Sequence, residues 1–454
     1  MISLKNKWEW LGLSLLIAIG LFAYYQIAFE VQQTDFRSLI IYYSLAFISF
    51  VALYTKFKSQ YKLLLTLSIV FRLIFFVATP QLSQDIYRYI WDGHLLINGF
   101  NPYEFTPEQL MQQAKLPFAL ADELYPQLTE LSASHHSNYP PVSQFFYALS
   151  AWISPNAIFG SILWLKALLF SADLLFYKVA LPILKHFNLA RHQVFLYLLN
   201  PLLIVEGIGN LHLEPVMAAF LLTAIFFWLK QRKIWTGIFL GLSIATKLLP
   251  LLLLPFFAKG KNKFQFNAFL KSDFLWISSV ALIVVAIVFI PFINPSMAND
   301  YVETISLWFN TFEFNVSIYY LFRWIGYQIS GWNMIAIFGK ALTAISLIVL
   351  IFLALRSTAS RKMQSESMVL ALLIYFLLAT TVHPWYLIMP LSISIFSNLK
   401  LPILVWTFTI FFSYHAYKID GFQENTYWLI AEYTAVLISI IISYKNYFDL
   451  LKPR

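Results

Sequence analysis

From Trp8 to Phe29 the chain is apolar apart from Glu9, Ser14 and Gln26. At about 1.5 Å per residue such a run is long enough to cross a hydrocarbon core about 30 Å thick. Comparable runs recur at 37–55, 61–79, 157–180, 192–208, 213–229, 274–293, 333–355, 367–382, 385–398, 401–417 and 426–444. The chain of 454 residues is 60% hydrophobic and 12% charged, with a mean hydropathy of +0.69. Soluble chains keep about a quarter of their residues charged. The expected fold is therefore an all-α, polytopic transmembrane bundle of roughly 12–14 membrane helices. Residues 1–454 form one membrane domain, with a large non-cytoplasmic loop at 80–156.

The first run is too long for the core of a signal peptide and is followed by no small-residue cleavage site, so it reads as a retained helix. The net charge of +9 arises from Lys and Arg gathered in short loops, as the positive-inside rule requires, and not from a nucleic-acid-binding face. Lys5 and Lys7 put the N-terminus in the cytoplasm. Lys56, Lys58, Lys62, Lys178, Lys185, Arg191, Lys230, Arg232 and Lys233 fall on that side too. So do Lys259, Lys261, Lys263, Lys271, Arg356, Arg361, Lys362, Lys445 and Lys452. All agree only if 234–257 begins and ends in the cytoplasm. With Lys247 and Pro250 near its middle, that stretch suits two half-crossing helices, tolerated where they line a polar cavity. A single tilted span is the other reading.

The non-cytoplasmic side then carries the unusual polar residues. Asp85, Arg88 and Asp92 in Gln84-Asp85-Ile86-Tyr87-Arg88-Tyr89-Ile90-Trp91-Asp92-Gly93-His94 stand at i, i+3 and i+7, on one helical face. Tyr87, Tyr89 and Trp91 suit an interfacial helix. A carboxylate there can act as a general base toward a hydroxyl; a solvated helix whose Asp and Arg pair is equally compatible with the spacing. His135 and His136 are adjacent, so on a helix they diverge, which argues against a zinc site. Tyr139-Pro140-Pro141 suits a rigid turn into 142–153.

His212 and Glu214, in Gly209-Asn210-Leu211-His212-Leu213-Glu214-Pro215, sit close to hydrocarbon, where ionisable groups are costly and mark function unless they cap a turn. Lys247 lies deep in apolar sequence and needs an anion, for which a substrate phosphate serves unless the side chain snorkels. Arg72, within a span, also needs a partner. Trp308-Phe309-Asn310, Glu313-Phe314-Asn315-Val316-Ser317 and Arg323 occupy 294–332, and Thr380-Thr381-Val382-His383-Pro384-Trp385-Tyr386 forms a corner on the same side. The absence of cysteine excludes disulfides, Cys-ligated zinc and thiol catalysis. No Walker loop, dinucleotide-binding glycine pattern, HExxH or GxSxG motif is present, which argues against an ATP-driven pump or a familiar hydrolase.

The run Asp85-x-Tyr87-Arg88-Tyr89-x-Trp91-Asp92-Gly93, followed by Gly99-x-Asn101-Pro102-Tyr103, resembles the first-loop motif of GT-C-fold glycosyltransferases that use a polyprenyl-phosphate sugar. The resemblance is to bacterial polyprenyl-phosphomannose-dependent mannosyltransferases and to the mannosyltransferases of glycosylphosphatidylinositol assembly. Tyr139-Pro140-Pro141, Thr246-Lys247-x-x-Pro250, Phe314-Asn315-x-Ser317 and His383-Pro384-Trp385-Tyr386 are similar to later blocks of that group, in the same order, across 65–390. Three spans precede the first loop here, where many of these enzymes have one.

The resemblance implies transfer of a sugar, mannose foremost, from a polyprenyl phosphate to a glycan or lipid acceptor hydroxyl, with inversion. Glucose, galactose and arabinose remain open as donor sugars. Asp85 would be the base, Arg88, Asp92 and His212 would orient donor or acceptor, and Lys247 would bind the departing phosphate. Glu214, Asn315 and His383 complete the candidate substrate-binding set. A phosphate is already a good leaving group, so the reaction calls for no metal and no cofactor. The expected location is a bacterial inner membrane, among membrane lipids, with the site facing the periplasm or exterior. A transporter or flippase of a lipid-linked or anionic substrate is the alternative.

Overall fold

The computed structural model describes residues 7–258, 273–295, 297–357 and 361–451. The orientation markers Lys5, Lys259, Lys261, Lys263, Lys271 and Lys452 lie outside the described residues. Among those described, the chain is mostly helical, with connecting turns, an isolated bridge between Phe314 and Thr381, and one small two-stranded ribbon. In it Tyr417 pairs with Phe422 and Lys418 with Gly421, antiparallel.

Among the described residues, six helices are long and apolar enough to cross a bilayer: Lys7–Phe29, Phe36–Phe57, Ile158–His186, Asp273–Phe292, Ile335–Arg356 and Thr426–Tyr444. A seventh arises if Arg191–Leu198 and Leu203–Gly209, bent by 58°, form one broken span. The chain is thus an all-α polytopic membrane protein. Its remaining apolar runs fold differently from full spans. Glu214–Leu229, Lys233–Thr246 and Gln364–Leu378 are shorter helices. The runs at 385–398 and 401–417 are each split between α-helical and 3₁₀ turns. The apolar runs read from the sequence therefore outnumber the full-length helices, because hydropathy registers these broken pieces as it does straight ones.

The chain divides into two compact units. The first contains Met1–Leu82, Phe170–Pro215 and His383–Arg454. Its helix Phe36–Phe57 starts at Asp35, whose carboxylate accepts the Ser38 amide at 3.1 Å and so satisfies one of the first turn's open donors. The Tyr43 hydroxyl donates to the Thr407 carbonyl at 2.6 Å, and its ring stacks on Phe411 with centroids 3.5 Å apart. Arg72 finds its partner here. Its Nε donates to Asp173 at 2.7 Å and its Nη1 to the carbonyls of Ser68 and Leu198, all buried. Such a pair is strongly destabilising to break from one side only.

The second unit contains Ser83–Leu169 and Val216–Val382. Helix Lys233–Thr246 packs against Asp273–Phe289 through Gly237 and Gly241. A Cβ at Gly241 would stand 2.7 Å from the Ala281 carbonyl, so only glycine permits this approach. The helix stops at Lys247, which is extended (φ −149°, ψ 139°), and a 3₁₀ segment follows over Leu249–Phe257. The break in 234–257 falls at Lys247, as its lysine and following proline predict.

Candidate active site

In the second unit, Ser83 and Gln84 lead into helix Asp85–Ile97. Asp85 is its first residue and is half-buried, at the end where helix amides favour a negative charge. The helix lies along Pro141–Ile153. A Cβ at Gly93 would collide with the Tyr147 carbonyl, so the two backbones touch there because residue 93 has no side chain. Tyr89 stacks on Tyr147 with ring centroids 4.6 Å apart and meets Tyr139 edge-on at 4.9 Å. Tyr139 is the meeting point of three predicted motifs. Its phenol is raised well above its ordinary range, first by burial and next by the negative charge of Asp85. The ammonium of Lys247 stands 4.9 Å from the centre of the same ring. The Ser143 hydroxyl donates to the Thr246 carbonyl at 2.6 Å, fixing the backbone beside Lys247 against helix Pro141–Ile153.

Arg88 and Asp92 depart from the expected exposed face. Both are buried. The Arg88 Nε donates to Asp92 Oδ1 at 2.6 Å, and its Nη1 donates to the carbonyls of Ser132 and His135. Asp92 Oδ2 accepts from the Ser137 hydroxyl at 2.6 Å and from Gln144 Nε2 at 2.9 Å. The pair bolts the segment Ser132–Ser137 onto the helix and so fixes the approach to Tyr139. Tyr89 and Trp91, read as interfacial, are also fully buried. Three donors on the Asp92 carboxylate and three hydrogen bonds from the Arg88 guanidinium offset part of the cost of taking that pair out of water.

Asn315 is buried with φ at 50°, and its amide reaches the Val382 carbonyl at 3.5 Å. Its strand-like neighbours do the joining. The Phe314 amide donates to the Thr380 carbonyl at 3.1 Å, and the Val382 amide to the Phe314 carbonyl at 2.9 Å. Phe314-Asn315 and Thr380-Thr381-Val382 thereby lie side by side in the second unit.

His212, Glu214 and His383 belong to the first unit. Trp385 lies between two imidazoles, with ring centroids 3.9 Å from His212 and 4.4 Å from His383. His212 follows a π-helical turn, Leu203–Gly209, and Leu211, whose φ is 64°. Its Nδ1 stands 3.1 Å from the Glu206 carbonyl and 3.3 Å from Glu206 Oε2. Glu214 is buried in the first turn of helix Glu214–Leu229.

Sequence reasoning passed over Glu206 and Asp173, lone acids in apolar runs, although the cost of a charge in hydrocarbon flags both. It also passed over Ser137 and Gln144, which carry no such signal: their use depends on a fold that brings them to Asp92.

The fold and these clusters define a helical membrane protein with ionisable residues gathered at a few buried places. More narrowly, the chain belongs to the family described as "Alpha-(1->6)-mannopyranosyltransferase, N-terminal domain", which it matches over residues 31–260. That stretch contains Asp85, Arg88, Asp92, His212, Glu214 and Lys247, and ends before Asn315 and His383. The chain is also 27% identical over 183 residues to the Alpha-(1->6)-mannopyranosyltransferase A of Mycobacterium tuberculosis. That match covers 40% of this chain and 33% of the relative.

Proposed function

We propose that this protein is an integral-membrane glycosyltransferase of the GT-C type that moves mannose from a polyprenyl phosphate to a hydroxyl of a glycan or lipid acceptor. Family membership supports the sugar-transfer chemistry. The observation that carries the site is Lys247 over the ring of Tyr139, which packs against Tyr89 of the helix that Asp85 begins, in one unit. A carboxylate at the start of one helix and an ammonium at the end of another supply the two charges the reaction needs. Asp85 takes the acceptor's proton as its oxygen attacks the anomeric carbon. The bond from that carbon to the phosphate oxygen breaks, its electron pair leaves with the polyprenyl phosphate, and Lys247 neutralises the charge that develops there. Attack opposite the leaving group inverts the centre, so an α-linked product requires a β-linked donor. Arg88 and Asp92 serve binding by holding Ser132–Tyr139 in place, and His212, Glu214, Asn315 and His383 contact donor or acceptor. The reaction takes place on the non-cytoplasmic face of a bacterial inner membrane. No observation favours the transporter reading over this one.

Purified full-length protein given radiolabelled polyprenyl-phosphate mannose and a membrane glycan extract should place label in the extract and release polyprenyl phosphate in equal amount. An intact donor after prolonged incubation with every hexosyl donor would contradict the reading.

A further inference from the structure

The His212 ring needs something to hold it in place. The answer is a buried carboxylate that no sequence motif marked. Glu206 is fully buried within the π-helical turn, and each of its oxygens is engaged. Oε1 accepts from the Tyr414 hydroxyl at 2.7 Å, and Oε2 accepts from Asn210 Nδ2 at 2.9 Å. The Nδ1 of His212 lies 3.3 Å from Oε2 and 3.1 Å from the Glu206 main-chain carbonyl. A carbonyl can only accept, so the proton of the ring must sit on Nδ1. In the neutral imidazole Nε2, buried like the rest of the side chain, is then an acceptor, the form that a hydroxyl donor requires. The plane of the ring is set as well, because it stacks on Trp385 at 21°, and Trp385 in turn stacks on His383 at 5°.

The local backbone is built for this. The widened turn lets the Asn210 amide bond to the Val205 carbonyl at 2.8 Å, and the His212 amide reach back to the Glu206 carbonyl at 3.3 Å. Leu211, non-glycine yet left-handed, redirects the chain just before His212. π-turns recur at functional sites for this reason: they aim a side chain that a regular helix would send elsewhere.

We propose that Glu206 is a positioning residue. Its carboxylate, held by Tyr414 and Asn210, fixes the His212 ring with the proton on Nδ1 and a negative charge behind it, so that Nε2 accepts a substrate hydroxyl. This rests on the transferase reading, in which His212 contacts substrate.

The test is a double-mutant cycle on full-length protein in the labelled-mannose assay. Glu206→Gln keeps the shape of the side chain and removes its charge. It should lower kcat by about tenfold or more while leaving KM for the donor and the melting temperature near those of the wild type. In a His212→Gln background the same change should cost nothing further. Tyr414→Phe, which keeps the carboxylate and removes one of its donors, should give a smaller kcat loss that also disappears in that background, and it decides the matter if the Glu206 variant does not fold. Losses that multiply in the double variants, or a Glu206→Gln enzyme with wild-type kcat, would overturn the proposal. A wild-type protein that transfers no sugar would instead overturn the transferase reading, so the two failures are told apart.

Discussion

Asp85 and Asp92 lie on one helix, yet their surroundings separate their roles. Asp92 is saturated by Arg88, Ser137 and Gln144 and fully buried. Asp85 is half-buried at the helix start. Asp92→Ala should leave the Arg88 guanidinium buried without its counter-charge and cost about 3–5 kcal/mol, read as a fall in the thermal unfolding midpoint in detergent. Lys247→Ala should raise KM for the donor by about 10–150-fold, the worth of a hydrogen bond to a charged group, and change KM for the acceptor much less. Equal effects on both substrates would remove the phosphate-binding role. At this scale the sequence was partly legible. His212 and Lys247 stand out as ionisable residues in apolar sequence, and Asp85 as one that shares a helical face with Arg88 and Asp92. Their partners do not, since Lys247 meets Tyr139 and His212 meets Trp385 across sequence separations that no local pattern encodes. The Arg88–Asp92 pair is a lesson in the other direction. Its i, i+4 spacing was visible, but whether it faced water or the interior was decided by the helix Pro141–Ile153.

Two close approaches set the geometry of the elements. Helix Asp85–Ile97 meets Pro141–Ile153 at Gly93, and Lys233–Thr246 meets Asp273–Phe289 at Gly237 and Gly241. The second contact delivers Lys247, the residue at which its helix ends. Gly93→Ala should force the helices apart and destabilise the protein by about 1–3 kcal/mol. Because Asp85 rides on the displaced helix, activity should fall at temperatures where the variant is still folded by circular dichroism. Wild-type activity would show that the contact does not position Asp85. The break at Lys247 was legible, because a lysine followed three residues later by proline interrupts both the apolar pattern and the helix. The split of 385–398 and 401–417 into short helical and 3₁₀ pieces was not, since leucine, isoleucine and phenylalanine report burial and say little about which helical turn the backbone adopts.

For the whole molecule, the class was written in the apolar runs, and a membrane protein is what their length permits. Orientation rests on the distribution of lysine and arginine, which is a property of the chain's loops and of the membrane together. It has a direct check, because the protein contains no cysteine to confuse labelling. His135→Cys should react with an impermeant maleimide added from the non-cytoplasmic side. Reaction from the cytoplasmic side alone would reverse the assignment of the loop 80–156.

We propose that the carboxylate at the start of helix Asp85–Ile97 deprotonates the acceptor. The measurement that bears on it most directly is transfer of labelled mannose by Asp85→Asn. The asparagine keeps the size of the side chain and cannot take the proton. We predict a loss of about 10²–10⁴-fold in kcat, with the unfolding midpoint and donor binding unchanged. Full transfer by a folded Asp85→Asn protein would contradict the account.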